Sequence, residues 1–291
     1  MRRLSLVVLF AALLSACATP PPPPPTPVAV PKPPIKVAIA LGGGAARGFS
    51  HIGVIKALEA QGIVPDIVTG TSAGSVVGAL YASGLSGFEL QQIALGMEED
   101  MLADWALPNR GVLRGEALQA FINQLVKQRT LQRMPKPLGV VATDLQSGDK
   151  VLFRTGDTGM AVRASSAVPG VFQPVAISGR DYVDGGLTSP VPVQSARAMG
   201  ADFVIAVDIS SVGRREKLTG TVDVLLQTFA IMGHTLSSHE LKEADVVIRP
   251  KTAAVSSTSF ADRHLAILEG EQAVAAILPE LKAKLARARA R

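Results

Sequence analysis

The chain has 291 residues, 47% hydrophobic and 18% charged, enough apolar material for one catalytic-size core. Its formal net charge of +5 comes with few aromatic residues and no nucleic-acid motif, so a nucleic-acid binder is not indicated. A single cysteine, Cys17, excludes an intrachain disulfide and any cysteine metal cluster.

Arg2 and Arg3 open the chain, followed by an apolar run over residues 4–14 that is too short to span a bilayer comfortably. Leu14-Ser15-Ala16-Cys17 comes next. A charged start, an apolar middle and small residues before a cut read as a secretory signal over residues 1–16. Leu-Ser-Ala-Cys also resembles the bacterial lipobox, where cleavage leaves the cysteine as a lipidated N-terminus. That resemblance implies a lipid anchor at Cys17, and Ala18 after it favours the outer membrane, facing the periplasm. The plainer alternative is an ordinary signal peptide with an incidental cysteine. Residues 18–34 are nearly all proline, which donates no backbone N–H, so residues 17–34 read as a lipidated cysteine and an extended spacer.

The folded domain is expected over residues 35–291. "IKVAIAL" (35–41) reads as a buried strand, "GGGAARG" (42–48) as a loop, and residues 49–61 as a helix closed by Gly62. "DIVTG" (66–70) is a second strand, and residues 73–82 form a helix rich in small side chains. Further strands are predicted over 138–142, 203–207 and 246–248. Further helices are predicted over 115–127, 191–199, 222–236 and 262–286, the last kinked or divided at Pro279. The C-terminal run Lys282, Lys284, Arg287, Arg289 and Arg291 reads as a solvated helix face. Strands alternating with helices predict an α/β fold with a mainly parallel sheet covered on both faces. Residues 87–111, with Met97, Met101, Leu102, Trp105 and Leu107, suit either ordinary core or a lid over a site.

Two glycine turns carry the candidate chemistry. Gly70-Thr71-Ser72-Ala73-Gly74 sits between a strand and a helix, the context of a nucleophile elbow. Ser72 is then either a nucleophile or merely the helix N-cap. Gly42-Gly43-Gly44-Ala45-Ala46-Arg47-Gly48 lies in the same kind of junction. As a phosphate loop it fails at Phe49, where lysine is needed, and no dinucleotide register fits it. As an oxyanion hole it offers successive amides at a helix N-terminus, with Arg47 bracing the loop. A packing turn is the bland alternative.

A serine nucleophile needs a base. His51 lies early in a helix and reads as structural. His234, His239 and His264 fall in or just after predicted helices, and His264 permits the Ser…Asp…His order without a turn to aim it. Asp184, before Gly185 and Gly186, is a turn residue or a base. As a base it needs partial burial to raise its pKa.

The three motifs together resemble the patatin-like phospholipase family in its bacterial branch. The likeness runs through the stretch from Gly42 to Gly84, then "AVRASSAVPGVFQPV" and "YVDGGLTSPVPV", within residues 36–209. It implies a three-layer α/β/α fold and a Ser–Asp dyad needing no metal or cofactor. Ser72 matches the nucleophile and Asp184 the base. Gly43, Gly44 and Ala45 match the oxyanion hole, with Arg47, Gly48, Gly70, Gly74, Gly185 and Gly186 as supporting motif positions. Ala45 stands where the family often has glycine, which would strain a left-handed backbone there. The implied activity is cleavage of acyl esters of phospholipids or lysophospholipids. The alternative from another class is a catalytically silent envelope lipoprotein that binds acyl chains or partner proteins.

Overall fold

The computed structural model describes residues 34–98, 113–210, 220–255 and 260–290. Residues 1–16, Cys17 and the spacer up to Pro33 lie outside the described residues, as do Met101, Leu102, Trp105 and Leu107. In chain order the first elements are β1 (Val37–Leu41), α1 (Phe49–Ala60), β2 (Ile67–Thr71), α2 (Ala73–Ala82), α3 (Gly87–Gly96), α4 (Glu116–Leu125), β3 (Leu138–Asp144) and β4 (Lys150–Phe153). Then come α5 (Thr158–Ser165), β5 (Val175–Ile177), β6 (Arg180–Asp184), α6 (Val193–Ala198), β7 (Phe203–Val207), α7 (Thr221–Glu240), β8 (Val246–Ile248) and α8 (Arg263–Ala290).

The eight strands form one sheet in the order β5-β6-β3-β2-β1-β7-β8, with β4 also on β3. The run β3-β2-β1-β7-β8 is parallel, and β4, β5 and β6 join antiparallel. β1, β2, β3 and β7 are buried along their whole length, and β1 and β7 accordingly read as continuous apolar runs without alternation.

Side chains leave a strand to alternate faces. Val37, Ile39 and Leu41 of β1 enter a large core with Ile55 and Leu58 of α1 and Ile267 and Leu281 of α8. Ala38 and Ala40 enter a smaller core with Val193 and Ala196 of α6. Helices thus cover both faces, giving three layers and a mainly parallel sheet as predicted. α1 and α8 cross at glycines: a Cβ on Gly53 would stand 1.9 Å from the Ile267 carbonyl oxygen, so no larger residue permits this approach.

The predicted parallel strands are all present, with ends shifted by one or two residues. Three corrections concern the rest. Antiparallel β4, β5 and β6 and helices α3 and α5 were not predicted, because each is short and only partly apolar. Residues 87–96 form α3, opened by a capping box in which Ser86 and Glu89 bond each other's backbone amides, and Leu90, Ala94 and Met97 are core. α8 is not divided at Pro279: Ala275, whose carbonyl loses its helical partner there, is exposed, so water can serve it.

β3 aligns two other strands end to end. Val141 pairs with Thr71 of β2, and Ala142 pairs with Asp184 of β6. β4 also pairs with both Val141 and Ala142 and so occupies the opposite edge. β2 and β6 therefore share one edge of β3 and run toward each other along it, ending at adjacent positions.

Candidate active site

The residue after β2 is Ser72, and the last residue of β6 is Asp184. End-to-end placement on β3 brings these two together. The sequence-predicted pair is thus adjacent in space, at the C-terminal end of the parallel strands, where α/β sheets place their ligands.

Ser72 has φ 53° and ψ −125°, a conformation side-chain-bearing residues rarely adopt. It occupies the N-cap position of α2, yet its side chain makes no capping bond. The hydroxyl is thus not spent on the helix end. Its backbone is fixed instead. The Ser72 N–H donates to Ser165 Oγ at 2.8 Å, and Ser165 Oγ donates to the Val141 carbonyl at 2.5 Å. The turn needs bare backbone: a Cβ on Gly74 would lie 2.1 Å from the Leu41 carbonyl oxygen, and one on Gly70 would strike Gly74.

Asp184 is 7% exposed. Its Oδ1 accepts from the Gly186 amide at 2.7 Å, and its carbonyl accepts from Thr143 Oγ1 at 3.0 Å. The Ser72 hydroxyl lies close enough to favour the ionised carboxylate, although Oδ2 makes no hydrogen bond of good geometry. Burial dominates and pushes the carboxyl up from 3.8 to about 6, against the pull of Ser72 and Gly186. Gly185 packs where a Cβ would stand 2.3 Å from the Val141 carbonyl oxygen.

The glycine loop lies beside Ser72: a Cβ on Gly43 would be 3.2 Å from the Ser72 Cβ. The three loop amides are not equivalent. Gly43 N–H donates to the Pro190 carbonyl at 2.9 Å, so the expectation that it lines an oxyanion hole is corrected. Gly44 and Ala45 donate to no carbonyl among the described residues, and Ala45 is exposed. Ala45 has φ 51°, the left-handed strain anticipated at this position. Arg47 braces the loop through Nε to the Gly44 carbonyl at 3.2 Å. Gly48 abuts Ala73, the first residue of α2.

Among the described residues, no histidine is hydrogen-bonded to Ser72 or Asp184. His51 is fully buried, and its Nε2 lies 2.7 Å from the Gly42 carbonyl, the geometry of a neutral ring donating to the loop. Burial lowers its pKa to about 4, opposed by that bond and by Asp208. His234, His239 and His264 are exposed on α7 and α8.

Sequence reasoning missed Ser165. It lies in "AVRASSAVPG", but nothing local marks which of two adjacent serines reaches Ser72. It also missed Glu240, at the end of α7, which accepts from Ser189 Oγ at 2.5 Å.

Among curated proteins, the chain is 38% identical over 177 residues to an uncharacterized NTE family protein of Mycobacterium tuberculosis, covering 60% of this chain and 49% of that one. It is 36% identical over 183 residues to human patatin-like phospholipase domain-containing protein 6, covering 60% of this chain and 13% of that one. The chain thus spans about half the length of the mycobacterial relative and far less of the human one. Among solved structures, VipD from Legionella pneumophila superposes with a TM-score of 0.58 at 16% identity, over 85% of this chain and 67% of that one. A chain of the ExoU–SpcU complex from Pseudomonas aeruginosa gives 0.51 at 14% identity, over 87% of this chain and 53% of that one. Those two likenesses are of fold. The model of the patatin-like phospholipase family matches residues 39–197, more than half of the chain, and the protein belongs to that family.

Proposed function

We propose that the protein is a serine acyl hydrolase acting on acyl esters of phospholipids or lysophospholipids, with Ser72 as nucleophile and Asp184 as base. The observation that carries this reading is a strained, uncapped serine next to a buried carboxyl whose pKa is raised to about 6. A carboxylate of ordinary pKa is a poor acceptor for a serine proton, and burial narrows that gap.

In the proposed reaction Ser72 Oγ bonds to the ester carbonyl carbon while Asp184 takes the hydroxyl proton. The carbonyl oxygen becomes an oxyanion, and the Gly44 and Ala45 amides are the donors for it. Collapse breaks the ester C–O bond, and Asp184 returns its proton to the leaving alcohol. Water, deprotonated by Asp184, then attacks the acyl-enzyme and releases the fatty acid, and the proton returns to Ser72. No metal or cofactor enters this scheme. The proposed anchor is a lipid at Cys17, in the outer membrane and facing the periplasm, supported by the order of residues 1–18 alone. Replacing Cys17 with serine would release the protein from the membrane fraction.

The test is a fluorophosphonate probe with native protein. Labelling at Ser72, abolished in Ser72→Ala and strongly reduced in Asp184→Asn, supports the hydrolase. No labelling of folded wild-type protein removes it in favour of a silent acyl-binding protein.

A further inference from the structure

Glu240 is a buried carboxyl to which the proposed reaction gives no role. It is 7% exposed and, among the described residues, forms no ion pair. Its partners are neutral donors: Ser189 Oγ at 2.5 Å on Oε1 and Val191 N–H at 3.3 Å on Oε2. Burial raises its pKa and Glu243 adds to the rise, while Ser189, Lys150 and the Val191 amide oppose it. A buried carboxyl held this way is a weak source of stability, since apolar packing would serve as well.

What Glu240 holds is more telling. Ser189 has every polar group engaged. Its N–H donates to the carbonyl of Gly185, the residue after Asp184, at 2.8 Å. Its carbonyl accepts at 2.8 Å from Thr71 Oγ1, on the residue before Ser72. Its hydroxyl goes to Glu240. The next residue, Pro190, takes the Gly43 amide. The end of β2, the turn after Asp184, the glycine loop and the end of α7 therefore meet at Ser189 and Pro190.

We infer that Glu240 is a positioning residue: it fixes Ser189 and Val191, and through them the placement of Asp184 relative to Ser72 and the glycine loop. The inference rests on the hydrolase reading. Without the carboxylate, a buried hydroxyl and a buried amide lose their acceptor, and the loop must shift to find others. A displacement of about 1 Å in such a site costs on the order of a hundredfold in rate.

Three variants test this on a soluble short-chain ester. Ser189→Ala and Glu240→Ala each lower kcat between about ten- and a hundredfold with KM changed less than about twofold. Glu240→Gln, which keeps an acceptor for Ser189 but turns an NH2 toward the Val191 amide, falls between them and wild type. The double variant Ser189→Ala/Glu240→Ala is no slower than the slower single, because both remove one connection. Amide hydrogen exchange at Gly43 and Ser189 accelerates in the same variants. Should Glu240→Ala fail to fold, Ser189→Ala, which deletes a single hydroxyl, carries the test. Variants that melt lower yet keep wild-type kcat, with exchange at these two amides unchanged, overturn the inference and leave the hydrolase reading intact. A wild-type protein inert to ester and fluorophosphonate overturns the hydrolase reading instead, and exchange alone then decides the loop.

Discussion

Ser165 accepts the backbone amide of Ser72 and donates its own hydroxyl proton to the Val141 carbonyl, so the strained serine is pinned to the central strand by one side chain. Ser165→Ala leaves two buried backbone groups without partners, which costs about 1–3 kcal/mol for each. If that bond holds Ser72 in its reactive conformation, the fluorophosphonate labelling rate falls about tenfold or more. A variant with lowered Tm and undiminished labelling shows the bond to be structural only.

Asp184 ties stability to pH. Its folded value of about 6 lies above the unfolded 3.8, so protonation favours the fold. That contribution is complete below pH 3.8 and is lost as pH rises through about 6. Above it, the ionised carboxyl weakens the fold by about 3 kcal/mol. Asp184→Asn is therefore expected to melt higher than wild type at pH 8 and to lose that advantage at pH 4. Paired denaturation curves at the two pH values check it, and equal differences at both would contradict the burial of a titrating carboxyl.

The rate profile follows from the same group. A base must be ionised, so kcat/KM rises through a single limb near pH 6 and is flat above it. An unperturbed histidine would place a limb nearby, so the profile needs a control. His264→Ala is expected to leave both the limb and the plateau unchanged, as its ring is exposed on α8. A large loss of activity in that variant would install a triad in place of the proposed dyad.

His51 acts in the opposite sense. Its folded value of about 4 lies below the unfolded 6.5, so its contribution is present above pH 6.5 and is lost as pH falls through 4. The amount is about 3 kcal/mol. His51→Gln keeps an N–H for the Gly42 carbonyl but does not titrate. Its stability relative to wild type should improve steadily between pH 6.5 and 4, while His51→Leu, lacking the donor, loses activity through the loosened glycine loop. Denaturation curves across that range and a rate assay of the leucine variant check both.

The legible parts of this molecule are those written locally. Ile67–Thr71 and Ala73–Ala82 announce a strand, a glycine turn and a helix within one stretch, so Ser72 can be placed without coordinates. Asp184 stands out through its paired glycines. What stays hidden depends on bonds between distant residues. Ser165 lies 93 positions from Ser72, and Glu240 lies 51 from Ser189. No periodicity or spacing links such partners. The Gly43 amide escapes a correct assignment for the same reason: its acceptor, Pro190, arrives from another part of the chain. Strands β4 to β6 carry no clear pattern, because each is three to five residues long and mixes polar with apolar side chains.

The placement of Thr71 and Asp184 on consecutive residues of β3 makes one peptide unit the ruler of the site. A single residue inserted into β3 between Val141 and Ala142 would push the two strand ends apart by about 3.3 Å and turn the register over. The stretch that joins α2 to β3 through α3 and α4 has no such duty. It can lengthen, shorten or change its sequence in the connections around α3 and α4 without altering the distance between serine and carboxylate. New recognition surfaces can thus be grafted there while Ser72 and Asp184 stay in place.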